Sequence, residues 1–114
     1  MELRSITTEA DLDELVEASK KQPVLLFKHS NACPVSSRAH SQVAKLLESA
    51  NPASFVAAIV TVQTARPLSN RIEERFGIRH ETPQAILLRD GSPVWNASHW
   101  DVSEAKLAVA IDRG

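Results

Sequence analysis

Apolar positions in this chain fall into two kinds of grouping, and the alternation between them predicts the elements. Residues 24–27 (Val-Leu-Leu-Phe) and 55–62 are nearly unbroken apolar runs, short enough for strands and without the alternation of a half-exposed one. Between and around them the spacing turns helical. Leu12, Leu15 and Val16 form a stripe running through Lys20, behind Thr8 and Asp11, which pair as an N-terminal capping box. Val35, Ala39, Val43 and Leu46 form a second stripe reaching Ser49, where Asn51-Pro52 breaks it. Leu68, Ile72 and Phe76 form a third, opened by Arg66-Pro67 and closed by Gly77. Residues 84–88, the Asp90-Gly91 turn and residues 93–97 read as a β-hairpin. A weaker strand at residues 2–6 precedes all of these, and Asp101 with Glu104 caps a last helix through Asp112. The order is βαβαβαββα. It predicts an α/β fold with a mixed central sheet flanked by helices on both faces. Chemistry in such a sheet belongs at the carboxyl ends of its parallel strands.

Composition narrows the classes. A length of 114 residues predicts one domain spanning 1–114, and 43% hydrophobic residues suffice for a core without disulfide or metal. A net charge of −1 provides no field for nucleic acid or an anionic membrane, and no apolar run is long enough to span a bilayer. Met1-Glu2-Leu3-Arg4 lacks the basic start and apolar stretch of a secretory signal. One cysteine cannot form an internal disulfide, so the expected location is cytoplasmic.

That cysteine, Cys33, lies in His29-Ser-Asn-Ala-Cys-Pro-Val-Ser36, just past the strand at 24–27. A lone cysteine is commonly a small apolar filler. The junction of strand, loop and helix, with Pro34 directly after, favours chemistry instead. If Cys33 is the N-cap, Pro34 sits where its missing N–H costs nothing. The N–H groups of Val35 and Ser36 then face the sulfur, and the positive end of the helix favours the thiolate, which is the nucleophilic form. Ser36 stands where a dithiol motif has its second cysteine; its hydroxyl is expected to donate a hydrogen bond to the sulfur but cannot form a disulfide. Lys28 is expected as a solvent residue at the strand end, His29 as a partly buried loop histidine, and Arg38 as a solvated helix residue able to reach a bound anion. Trp95 is expected to pack at the core or sheet edge, and His99-Trp100 to form a loop against the sheet. His29, His40, His80 and His99 show no zinc-ligand spacing with Cys33, so no metal is expected.

Fifty residues after the cysteine, Phe76-Gly-Ile-Arg79, Thr82-Pro83 and the hairpin resemble the second half of a thioredoxin, whose element order matches throughout. The resemblance implies a cis Pro83 lying against Cys33, with the backbone of Thr82 open to an extended substrate. The segments FKHSNACPVSSRA and RPLSNRIEERFGIRHETPQ narrow it to the monothiol bacilliredoxins. That family has a Thr-Cys-Pro-Ile-Ser type motif. Here Cys33, Pro34 and Ser36 match, Val35 is a mild variant, and Ala32 replaces threonine, removing any hydroxyl contact from that position. The likeness covers about residues 3 to 112.

The resemblance implies a catalytic set of Cys33, Pro34 and Ser36 and a substrate-binding role for Thr82 and Pro83; Asn31 and His29, as loop hydrogen-bond donors, and Arg38, as a nearby cation, are further substrate-binding candidates chosen by their chemistry rather than by the resemblance. It implies no bound cofactor and bacillithiol as co-substrate. Bacillithiol has two carboxylates in its malate portion, for which Lys28, Arg38, Arg66 and Arg79 are candidate partners. Expected partners are bacillithiolated client proteins and a thioredoxin- or bacilliredoxin-type reductase, with the chain a monomer. Two other readings compete: a non-catalytic adaptor using only the fold's surface, and an iron–sulfur binder of the monothiol glutaredoxin type. The latter carries Gly-Phe between cysteine and serine, where this chain has Pro34-Val35.

Overall fold

The computed structural model describes residues 1–112. Its elements are β1 (Leu3–Ser5), α1 (Glu9–Ala18), β2 (Val24–His29), α2 (Pro34–Ser49), β3 (Val56–Thr61), α3 (Arg66–Phe76), β4 (Gln84–Arg89), β5 (Ser92–Ser98), a 3-10 turn (His99–Asp101) and α4 (Glu104–Asp112). The five strands form one mixed sheet in the order β1-β3-β2-β4-β5. β2 runs parallel to β3 and antiparallel to β4, with Lys28 directly opposite Gln84.

Strand alternation divides the core in two. Leu25, Phe27, Ala57, Ile59, Ala85 and Leu87 face α2 and α4, meeting Val43, Leu46 and Leu107. Val24, Leu26, Ala58, Val60, Ile86 and Leu88 face α1 and α3, meeting Leu12, Leu15, Leu68 and Ile72. Both faces of β2 are therefore covered, which is why its sequence does not alternate.

Local signals hold at most element ends. Thr8 accepts from Asp11 N, and the Asp11 carboxylate accepts from Thr8 N, completing the capping box. Gly77 ends α3 at φ 66°. Asp90 and Gly91 both have positive φ, as a two-residue hairpin turn of this twist requires. Ser19 fastens that turn to the end of α1, accepting from Asp90 N through its carbonyl and from Gly91 N through its hydroxyl. One cap differs from expectation. Asp101 lies in the 3-10 turn and pairs with Lys106, while Ser103 starts α4, its carbonyl accepting from Leu107 N at 2.9 Å. The turn inserts between β5 and α4 and moves the cap two residues on. Among the described residues no helix is long and apolar enough to cross a membrane.

Candidate active site

β2 ends at His29, and a four-residue loop carries the chain to α2. Cys33 is the N-cap of that helix, extended at φ −121°, ψ 121°, and Pro34 occupies the first helical position. The Cys33 carbonyl accepts the first intrahelical bond from Ser37 N at 3.1 Å. The thiol is free and partly exposed. β4 begins opposite the last residues of β2, so Thr82-Pro83 lies at the same sheet edge as the cysteine loop. The Thr82–Pro83 bond is cis. Pro83 is buried and Thr82 half-buried. Among the described residues no hydrogen bond engages the Thr82 backbone.

The loop is held from below by hydroxyls. Ser36, fully buried, accepts from Ser30 N at 2.9 Å and lies 2.8 Å from His29 Nδ1. Ser30 Oγ accepts from Ala32 N and from Gln63 Nε2, and Gln63 Oε1 accepts from Asn31 N. Every loop N–H from Ser30 to Ala32 is thereby occupied. The expectation that Ser36 hydrogen-bonds the sulfur is corrected: its hydroxyl points inward from the first turn and is used by the loop. Cys33 is the N-cap as expected, but its side chain makes no capping hydrogen bond.

His29 is the last strand residue, not a loop residue, and is only 7% exposed. Its ring lies 4.9 Å from that of His40 and 5.7 Å from that of Phe27. Burial first, then the nearby His40, holds its pKa below the ordinary imidazole value. A neutral ring leaves Nδ1 free to accept the Ser36 proton. So His29 supports the loop from within, while Asn31 beside it is exposed.

Lys28 is corrected most sharply. It is 0% exposed, because the strand runs on through His29 and turns Lys28 toward α3. Its Nζ donates to His80 Nδ1 at 3.1 Å, and Ser69 Oγ lies 3.3 Å from the same nitrogen. Glu73 accepts from His80 N at 2.6 Å. Burial lowers the Lys28 pKa to about 8, opposed by Glu73. His80 is also lowered, by burial and then by Lys28. Gln84 Oε1, on the strand position opposite Lys28, has no partner. Lys28 is thus removed from the surface candidates for a carboxylate.

Arg38 and Trp100 meet. The guanidinium carbon stands 5.1 Å from the indole ring, and Nη1 donates to Trp100 O at 3.3 Å. Trp100 is 64% exposed, so the expected loop packed against the sheet is corrected. His99 before it has φ 55°, a left-handed conformation costing a non-glycine residue about 1–3 kcal/mol. Its N–H donates to Pro83 O at 2.8 Å. Trp95, half-buried, packs on the α2/α4 side of the core as expected. Arg66 and Arg79 are exposed at the start of α3 and in the loop after it.

Sequence reading missed Gln63, His80 and the Arg38–Trp100 contact. Gln63 had a signal: it follows β3, and the carboxyl ends of parallel strands are where such sheets carry their sites. His80 had only its position two residues before Thr82. The Arg38–Trp100 contact joins residues 62 apart and left no local trace.

This arrangement presents one reachable sulfur on a rigid loop beside a proline-led strand, as thiol redox chemistry requires. Residues 4–107 match the family model described as monothiol bacilliredoxin BrxC. A solved structure described as "a putative oxidoreductase with a thioredoxin fold" is 30% identical, with 95% of this chain and 92% of that one covered and a TM-score of 0.84. Two thioredoxins share the fold at lower identity. That of Fasciola hepatica has 21% identity over 97% of this chain and 98% of that one, TM-score 0.76. That of Malassezia sympodialis has 14% over 98% and 90%, TM-score 0.78.

Proposed function

The chain belongs to the monothiol bacilliredoxin family, and from that premise we propose that it is a one-cysteine thiol–disulfide oxidoreductase acting on mixed disulfides between proteins and bacillithiol. The observation that carries the reading is the placement of Cys33, the chain's one cysteine, partly exposed at the start of α2 on the sheet edge that also holds Pro83. A second thiol is absent, so the enzyme cannot resolve an intermediate internally. It does not need to if attack falls on the small thiol's sulfur. The Cys33 thiolate bonds to that sulfur, the S–S bond joining it to the client's cysteine breaks, and the client leaves as a thiolate. Cys33 then carries bacillithiol. A second bacillithiol thiolate attacks the sulfur of the bound one, releasing bacillithiol disulfide and the Cys33 thiolate; a separate reductase is the other route.

In this reading Pro34 starts the helix without an orphan N–H, Ser36 and His29 hold the loop, and Thr82 offers its backbone to the client beside Pro83. Asn31 flanks the cysteine and Arg38 faces the small thiol. Bacillithiol is a co-substrate rather than a resident group. Clients and a thioredoxin- or bacilliredoxin-type reductase are the protein partners of a cytoplasmic monomer.

The test is intact-mass spectrometry after exposure to bacillithiol disulfide. One bacillithiol adduct is expected on the native chain and none on Cys33→Ser. A Cys33 that stays unmodified while iodoacetamide labels it in a parallel sample would remove the reading.

A further inference from the structure

We propose that Arg38 and Trp100 form a clamp for the carboxylate of a small-thiol disulfide docking at Cys33. The proposal rests on the reading that Cys33 exchanges with such disulfides, and it names the group that reads them.

The first observation is an exposed indole carried on a firmly held turn. A tryptophan left 64% exposed gains little from burial, so the fold has no evident hydrophobic reason to hold it. Yet three hydrogen bonds hold the backbone that carries it. His99 N is bonded to Pro83 O, Val102 N to His99 O at 3.2 Å, and Arg38 to Trp100 O. Val102, fully buried, anchors the turn in the core. The left-handed backbone of His99 adds to the pattern, since such conformations concentrate where a site demands them.

The second observation is the state of Arg38. Arg4, Arg71 and Arg75 each pair with a carboxylate of this chain. Arg38, like Arg66, Arg79 and Arg89, has none among the described residues, but it lies over an aromatic ring, with one of its five N–H donors serving a carbonyl and the rest unclaimed. Stacking on an aromatic ring orients a guanidinium and limits the entropy lost when it binds. An oriented guanidinium with free donors suits a carboxylate, which it takes with two parallel bonds.

The third is location. Arg38 lies five residues past Cys33 on the same helix, about 7.5 Å along its axis. Trp100 is tied through His99 to the carbonyl of Pro83. The clamp is therefore anchored to both elements that bear the candidate site. An acidic segment of a client protein is the competing occupant; the small thiol is favoured because one arginine and one ring make a compact site.

The test compares two aromatic disulfides. In 5,5′-dithiobis(2-nitrobenzoate) each ring carries a carboxylate; 4,4′-dithiodipyridine carries none. Each reacts by the same balanced exchange, the Cys33 thiolate taking one half and releasing the other as a thiolate. The ratio of second-order rates, carboxylate probe over neutral probe, is measured by released-thiolate absorbance. Arg38→Met is expected to lower the ratio about tenfold, and Arg38→Lys and Trp100→Ala about threefold. Lys45→Met, an exposed change farther along α2, is expected to leave it unaltered. An unchanged ratio in Arg38→Met overturns the clamp. So does a wild-type ratio in Arg38→Lys, which would reduce the effect to net charge, or equal slowing with both probes. The reading above is judged separately, by the adduct mass with bacillithiol disulfide.

Discussion

Lys28 and His29 are neighbours on β2, and strand alternation sends them to opposite faces of the sheet. Each enters a polar cluster at a loop near the candidate site. On the α2 face, His29 meets Ser36, and Ser36 meets Ser30, so each buried polar atom named there has a partner. On the α3 face, Lys28 meets His80, and Glu73 holds the His80 backbone, but Gln84 Oε1 is left alone. The first cluster is uncharged and stiffens the cysteine loop. The second holds a cation with a neutral imidazole as its nearest partner, beside the loop leading to Thr82-Pro83. The difference shows that buried polarity does two separate jobs in adjacent residues: satisfied hydroxyls give rigidity, while a thinly compensated charge makes stability depend on pH.

The comparison breaks most severely at Ser36. Ser36→Ala removes the acceptor of Ser30 N and the partner of His29 Nδ1 at once. Thermal or urea unfolding is expected to show a loss of about 2–3 kcal/mol, since buried groups left unpaired cost about 1–3 kcal/mol each and the cavity lets some water in. Hydrogen exchange at residues 30–32 should quicken with it. A loss under about 0.5 kcal/mol would mean the hydroxyl does not hold the loop.

Lys28→Met acts in the opposite direction. It removes a buried cation while keeping an unbranched apolar stem, and a gain of about 1 kcal/mol at pH 7 is expected. The pH profile sharpens this further. The folded value near 8 lies below the unfolded value, so between about 8 and 10.4 the unfolded chain binds more protons. Wild-type stability should therefore rise with pH across that window, and Lys28→Met should lose that share of the slope.

The smallest expected effect is on the acid side. His29 and His80 are both held below the ordinary imidazole value, burial being the larger cause for each. The unfolded chain then binds more protons just below pH 6.5, and stability falls as pH drops through that window. His29→Gln keeps a hydrogen-bonding group without titration. It should flatten part of the acid slope, leaving the share that belongs to His80. An unchanged slope would place the titration on the Lys28 face alone.

Much of the molecule was legible in one dimension. Uninterrupted apolar strands, helical stripes, the Thr8–Asp11 box, Gly77 and Asp90-Gly91 each act over a few residues, and local sterics and hydrogen bonding decide them. The position of Cys33 before Pro34 was of this kind, so the start of α2 at the thiol was readable too. Asp101 shows the limit: it had the chemistry of a cap, but an intervening 3-10 turn transferred the role to Ser103.

What the tertiary structure alone decided is the use made of polar side chains. Nothing near Lys28 in the chain announces burial; His80, 52 residues away, makes it possible. Ser36 was readable as a partner for the sulfur until the loop from Ser30 closed over it, and Arg38 and Trp100 gained meaning only when α2 and the turn after β5 met. Local backbone preference and periodicity determine elements because they act between near neighbours. A hydroxyl, an ammonium or a guanidinium takes the partner that folding brings within about 3 Å, and that partner is as often distant in sequence as near.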